Sequence, residues 1–321
     1  KAGENKNTYS GEPSGFSDLD KITSGWQSSN MIVLAARPAM GKTALVLSMM
    51  RNMAIDYDIP VAMFSLEMNS VQIVNRLIVS ETAIHHNKLR NGDLSENDWK
   101  NLYEKTKKLT AAPIYLDDTP ALSIFEFRAK CRRLVDKYNI RCVFIDYLQL
   151  MTTTTASSRE QEVSLISRQI KAVSMELQIP IIALSQLNRS VETRTGNKRP
   201  QLSDLRESGA IEQDADLVLF IHRPEYYGLT VDEEGNPTEG LAEIIIAKNR
   251  HGATDTVKLE FIPEQTKFTD RNFINQLPDI TSDFDTDSPA IQTFASKMNT
   301  SKETVFNINP DKPFTPDEME F

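Results

Sequence analysis

The stretch Ala36-Arg-Pro-Ala-Met-Gly-Lys-Thr43 (ARPAMGKT) decides the fold. The apolar run Met31–Ala36 leads into it, and the amphipathic stretch beginning at Ala44 follows. Strand, glycine-containing loop and helix in that order make a phosphate-binding loop, in which backbone N–H groups and a helix N-terminus point at an anion. Gly41 lets the backbone come close to the phosphates, Lys42 reaches the β- and γ-phosphates, and the Thr43 hydroxyl ligates Mg²⁺. The residues in contact with nucleotide are expected to be Ala39, Met40, Gly41, Lys42, Thr43 and Ala44. Ala36 stands where the usual first glycine falls.

Outward from this loop the pattern alternates short apolar runs with longer amphipathic stretches. Strands are expected at Met31–Ala36, Val61–Ser65, Pro113–Leu116, Cys142–Tyr147, Pro180–Leu184 and Leu217–Ile221, and helices at about 42–56, 70–82, 95–109, 122–138 and 159–177. Continuous apolar strands separated by helices predict a mainly parallel sheet covered on both faces. Ala242–Lys248 and Thr256–Phe261, joined by a polar turn containing Gly252, read as an antiparallel hairpin added to that sheet. The fold class is therefore α/β, a P-loop NTPase. Residues 1–30 read as a leader docking on the core through Phe16, Leu19, Ile22 and Trp26, residues 31–276 as the nucleotide-binding domain, and residues 277–321 as an acidic tail without periodicity.

A carboxylate at a nearby strand end is needed to hold Mg²⁺, and Val143–Leu150 (VFIDYLQL) supplies Asp146. An acid interrupting so apolar a run is costly unless a cation or hydrogen bonds satisfy it. Hydrolysis also needs a group that orients or deprotonates water. Glu67, just past the second strand, is the candidate if that strand lies beside the phosphate-loop strand; an acid capping the next helix is the alternative. Gln186, ending the run PIIALSQ, can report the γ-phosphate or serve the fold.

Charge needs division before it is interpreted. The 321 residues carry a formal net charge of -9, but residues 279–321 hold nine acids against three bases. The body is nearly balanced, so its charge does not argue against a nucleic-acid partner. Two loops are unusually polar, Thr152–Glu162 and Asn188–Gln201, the latter with Arg189, Arg194, Lys198 and Arg199 against Glu192; a solvated surface is the simpler reading of each. Two cysteines exclude a disulfide framework, no apolar run is long enough for a membrane-spanning helix, and no signal peptide is apparent. An intracellular, soluble protein is expected, and a start at Lys1 suggests a fragment or processed product.

ARPAMGKTA, SLEM, VFIDYLQL, ISRQIKAVSMEL, ALSQLNR, SDLRESGAIEQDAD and KNRHG occur in this order. Together, across about residues 10–265, they closely resemble the C-terminal RecA-like motor domain of DnaB-type replicative DNA helicases. The resemblance implies a homo-hexameric ring that hydrolyses ATP or another NTP with Mg²⁺ and moves 5′→3′ on single-stranded DNA. It further implies Glu67 as catalytic base, Gln186 as γ-phosphate sensor, and Lys248 and Arg250 as a basic pair acting on the neighbouring subunit's nucleotide. Arg206, Glu207 and Gly209 would contact the DNA backbone, with the loops near Arg159 and Arg194–Arg199 as further channel elements. Full-length members carry an N-terminal helical domain that this chain does not include, and meet primase and a helicase loader; their setting is the cytoplasm of a bacterium, whether the gene is cellular or phage-borne. Two readings share the phosphate site: a RecA/RadA-like recombination ATPase and a nucleotide-switched scaffold of the same fold.

Overall fold

In the computed structural model, the residues described are 9–153, 158–194, 196, 198–232 and 234–271, with backbone alone for His86 and 206–208. Nine strands form one sheet: β1 Met31–Ala36, β2 Val61–Ser65, β3 Ile114–Asp117, β4 Cys142–Asp146, β5 Ile181–Gln186, β6 Leu217–His222, β7 Leu241–Asn249, β8 Thr256–Ile262 and β9 Lys267–Asp270. The helices are α1 Ser17–Thr23, α2 Lys42–Arg51, α3 Ser70–Thr82, α4 His86–Asn91, α5 Glu96–Ala111, α6 Ile124–Tyr138, α7 Arg159–Leu177, α8 Ser190–Thr193 and α9 Gly209–Asp214.

The strand order is β3-β2-β4-β5-β1-β6-β7-β8-β9. The first six strands of that order are mutually parallel, and β7 to β9 are antiparallel. The expected hairpin is β7–β8, and β9, which the sequence reading did not include, extends it by pairing Phe268 with Phe261.

Period-two alternation builds two cores. Ile32, Leu34 and Ala36 face α1, α2 and the β8–β9 end, while Met31, Val33 and Ala35 face α6, α7 and α9. Each large apolar side chain buried this way contributes about 1.5–3 kcal/mol. The apolar residues before β1 belong to the first core: Phe16, Leu19 and Trp26 are buried there, and Glu12 pairs with Trp26 as an antiparallel bridge. The helix read over 42–56 is regular to Arg51 and then widens into a π-type turn, Asn52–Asp56. Helices α3, α5 and α6 begin with reciprocal capping boxes at Asn69, Ser95 and Ser123, each satisfying two otherwise orphaned N–H groups.

One expectation about strand neighbours is corrected. β2 does not lie beside β1; β4 and β5 stand between them. β2 instead pairs with β4, opposing Ser65 to Asp146. Residues 277–321, the expected tail, fall outside the described residues.

Candidate nucleotide-binding site

Parallel strands share one carboxyl edge, and the candidate residues collect there. The register sets Ala36 opposite Gln186 and Ser65 opposite Asp146. Between β1 and α2 the phosphate loop passes through two left-handed positions, Ala39 (φ 65°) and Gly41 (φ 95°). Gly41 precedes α2 with no side-chain cap, so the first N–H groups of the helix face the loop's interior without a competing side chain. A β-carbon at Gly41 would sit 3.0 Å from the ring of Phe268, so conformation and space both require glycine. Met40 and Ala44 are buried beneath the loop, whereas Ala39 is exposed at its tip.

Lys42 donates to the Ala36 carbonyl across 3.2 Å. Burial pushes its ammonium below the usual lysine range, against the pull of Asp146 and Glu67. The Thr43 hydroxyl donates to Asp146 Oδ2 at 2.8 Å. Asp146 is buried, and desolvation raises its carboxyl above the ordinary range, with Glu67 adding to the shift and the Thr43 hydrogen bond and Lys42 opposing it. A divalent cation would relieve that penalty. The donors fit Mg²⁺, which takes one or two protein oxygens and completes its shell with phosphate and water. Among the described residues no cluster of three or more His, Cys, Asp or Glu offers an all-protein cage.

Glu67 reaches the same cavity, of about 330 Å³, which is also lined by Lys42, Thr43, Asp146 and Gln186. It does so although β2 is not adjacent to β1. The turn after β2 folds over the end of β4, with Leu66 N donating to Asp146 O at 2.7 Å and Ser65 Oγ to Met68 O at 2.6 Å. Position past β4, rather than strand adjacency, brings Glu67 to the site.

Four participants were not singled out from sequence. Arg76 on α3 and Phe261 and Thr266 from the β8–β9 end line the cavity. Arg37 ties the loop to the end of β5, donating to Leu187 O at 2.7 Å and pairing with Glu192 at 2.8 Å. Arg76 left a trace: it follows Ile73 by three residues, next to the buried stripe Ile73–Leu77 of an amphipathic helix. Phe261 and Thr266 left none, since only the tertiary fold brings β8 and β9 to the loop.

Lys248 and Arg250 lie elsewhere. Asn249 pairs with Leu217, and Leu217 with Ile32, so the pair sits at the start of β1, opposite the phosphate loop. Lys248 donates to the Glu212 carbonyl at 2.6 Å, and Arg250 pairs with Asp216 at 3.1 Å. Burial, followed by the nearby Arg250, holds the Lys248 ammonium below its ordinary range. Arg206 and Glu207 fall in the tight helical turn Leu202–Ser208, and Gly209 opens α9 with open space where a β-carbon would go. Part of the basic loop serves the fold: Arg194 pairs with Asp204 at 2.6 Å, and Lys198 lies 5.2 Å over the Tyr227 ring.

A parallel sheet with a phosphate loop after β1, a strand-end acid on β4 and a polar residue ending β5 defines a RecA-like P-loop nucleotide-binding domain. The profile of the DnaB-like helicase C terminal domain matches residues 11–270. The chain belongs to that family. It is 47% identical over 265 residues to the replicative DNA helicase DnaC of Bacillus subtilis (strain 168), covering 82% of this chain and 57% of that protein. It thus spans little more than half the length of this relative. Among solved structures it is similar to one described as an ATPase domain, with a TM-score of 0.76 and 39% identity, covering 83% of this chain and 93% of that one. A DnaB-like replicative helicase described with its interactions with primase superposes with a TM-score of 0.75 at 39% identity, over 82% of this chain and 62% of that one. Among the described residues no helix is long and apolar enough to cross a membrane.

Proposed function

We propose that this chain is the ATP-hydrolysing motor domain of a ring-shaped replicative DNA helicase that moves 5′→3′ on single-stranded DNA and unwinds duplexes. The observation that carries the reading is the convergence of Lys42, Thr43, Asp146, Glu67 and Gln186 on one cavity at the carboxyl edge of the parallel strands. In this reading residues 31–276 are the motor, residues 1–30 a leader seated on it, and 277–321 an acidic tail.

Each residue has a task set by its chemistry. The loop amides from Ala39 to Ala44 and the Lys42 ammonium hold the β- and γ-phosphates, and desolvation strengthens the Lys42 contact. Thr43 and Asp146 hold Mg²⁺, which when bound neutralises charge that develops on the transferring phosphoryl group. Glu67 accepts a proton from the attacking water or orients it. Gln186, exposed at the end of β5 and lining the cavity, hydrogen-bonds the γ-phosphate and loses that partner after hydrolysis. Lys248 and Arg250 are too far round the sheet to serve their own phosphate loop. They serve the neighbouring subunit's, where an inserted arginine is worth about 10³–10⁵ in rate.

DNA contact falls to Arg206, Glu207 and Gly209, with Arg206 supplying charge and backbone N–H groups near Gly209 meeting phosphate. Contacts of that kind read no bases. The relatives' names support DNA as a partner, and one neighbour's title supports primase; single-stranded DNA, further copies in a hexamer and a helicase loader complete the proposed set. The setting is the bacterial cytoplasm.

Lys42→Ala is the test. ATPase and strand displacement should both fall about 10²–10³-fold, and single-stranded DNA should no longer stimulate turnover. Full ATPase in the purified variant would refute the phosphate-site assignment. Wild-type strand exchange without displacement would favour a recombination ATPase, and slow hydrolysis indifferent to DNA would favour a nucleotide-switched scaffold.

A further inference from the structure

The geometry points to Asp216, together with the carboxyl end of α9, as the seat that aims Lys248 and Arg250 at a neighbouring subunit's nucleotide. This makes Asp216 a positioning residue for the hydrolysis proposed above, and it rests on the trans role proposed for Arg250.

Asp216 is buried, with its side chain only 4% exposed, and every described contact of its carboxylate is to a donor. Oδ2 accepts from Met31 N at 2.8 Å and from Lys171 Nζ at 2.5 Å. Oδ1 accepts from the Arg250 guanidinium at 3.1 Å, and the Asp216 carbonyl accepts from Arg250 N at 2.9 Å. One residue therefore fixes both the main chain and the side chain of Arg250. It is itself fixed by the first residue of β1, the strand whose other end carries the phosphate loop, and by α7.

The last carbonyls of α9 supply the rest of the seat. Lys248 donates to Glu212 O at 2.6 Å, and Arg250 donates to Gln213 O. Unsatisfied carbonyls at a helix carboxyl end favour cations, so the two side chains are gathered where α9 stops. The Arg250 side chain nevertheless stays 43% exposed, which leaves donors free for a group presented from outside the chain. An arginine held in this way has already lost much of the rotamer freedom that it would otherwise lose on docking.

The seat also has a second end. α9 is six residues long and begins at Gly209, directly after the turn proposed to touch DNA. The helix whose carbonyls hold Lys248 and Arg250, the finger proposed for the neighbouring subunit, is thus continuous with that turn.

Asp216→Asn tests the seat, because Asn can still accept from Met31 N while losing the charge that holds Lys171 and Arg250. In assembled rings kcat for ATP should fall about 10–100-fold, while KM for ATP stays within about twofold because the variant's own phosphate loop is untouched. Mixed rings decide the direction of the effect. Asp216→Asn chains reassembled with Lys42→Ala chains should regain hydrolysis, since the latter supply an intact finger to an intact loop. With Arg250→Ala chains they should not. A merely structural defect would damage the variant's own site and would not be complemented. Unchanged kcat, a raised KM, or no rescue by Lys42→Ala would overturn the proposal. Should Asp216→Asn fail to fold, Asp216→Glu keeps the charge, displaces it by one methylene and should give the same complementation pattern. In the control, Lys42→Ala with Arg250→Ala, absence of rescue would remove the trans reading and the seat together. Rescue in the control without rescue of Asp216→Asn would remove the seat alone.

Discussion

The two ends of β1 are built differently. At its carboxyl end the loop, Lys42, Thr43, Asp146, Glu67 and Gln186 meet around one cavity, all from one chain. At its amino end Lys248 and Arg250 meet no cavity that holds a phosphate loop and instead bind the chain's own carbonyls and Asp216. The first end is a cavity that already holds two cations, Lys42 and Arg76, and the second is a pair of cations held away from that cavity. Under the trans role proposed above, the amino end of one copy would serve the carboxyl end of the next.

The largest expected effect strikes the amino end. Arg250→Ala should slow hydrolysis about 10³-fold or more while leaving nucleotide binding to the single chain intact, measured by titration with a fluorescent nucleotide. Loss of binding along with rate would erase the distinction between the two ends. A smaller effect strikes the carboxyl end. Gly41→Ala places a β-carbon at positive φ and against Phe268, which should cost about 1–3 kcal/mol of stability and weaken nucleotide binding about tenfold as the loop amides turn away. Calorimetry and the same titration measure both, and an unchanged loop would show that the left-handed turn is dispensable.

The smallest effect sharpens the comparison by leaving both ends alone. His222, at the end of β6, is buried, and desolvation, with Arg199 adding to it, lowers its pKa to about 4. The unfolded chain takes up the proton near 6.5, whereas the folded chain resists it down to about 4. Stability is therefore complete above about pH 6.5 and is lost as pH falls towards 4. Between pH 7 and 5 the wild type should lose about 1–2 kcal/mol more than His222→Gln in urea unfolding. Parallel curves for the two proteins would contradict this, and nucleotide binding should not distinguish them.

What was legible in the sequence follows the same division. The phosphate loop, β4 and β5 are read locally, because strand, turn and polar strand end are contiguous, and the boundaries of β1 and β2 agree residue for residue. Glu67 was reached from a strand adjacency that does not hold; the turn over β4 that carries it depends on a register between residues about 80 apart in sequence. β9 is four residues long and too short to show a period. Arg37, with no periodic context inside a loop, and Phe261, read only as a hairpin residue, become site neighbours through pairings that no local pattern encodes. Asp216 reads as one acid among several in SDLRESGAIEQDAD; only its contacts with Met31, Lys171 and Arg250 set it apart. Motif-bearing residues were legible where the chemistry is local, and residues that hold them in place were not.

The most direct measurement of the division between the two ends is ATP hydrolysis by mixtures of Lys42→Ala and Arg250→Ala chains, with the mass of the assemblies recorded alongside. Each variant alone should be nearly inactive. Mixed assemblies should recover hydrolysis with a maximum at intermediate ratios, because some interfaces then join an intact phosphate loop to an intact finger. Mixed assemblies of confirmed composition that hydrolyse no faster than either variant alone would contradict it.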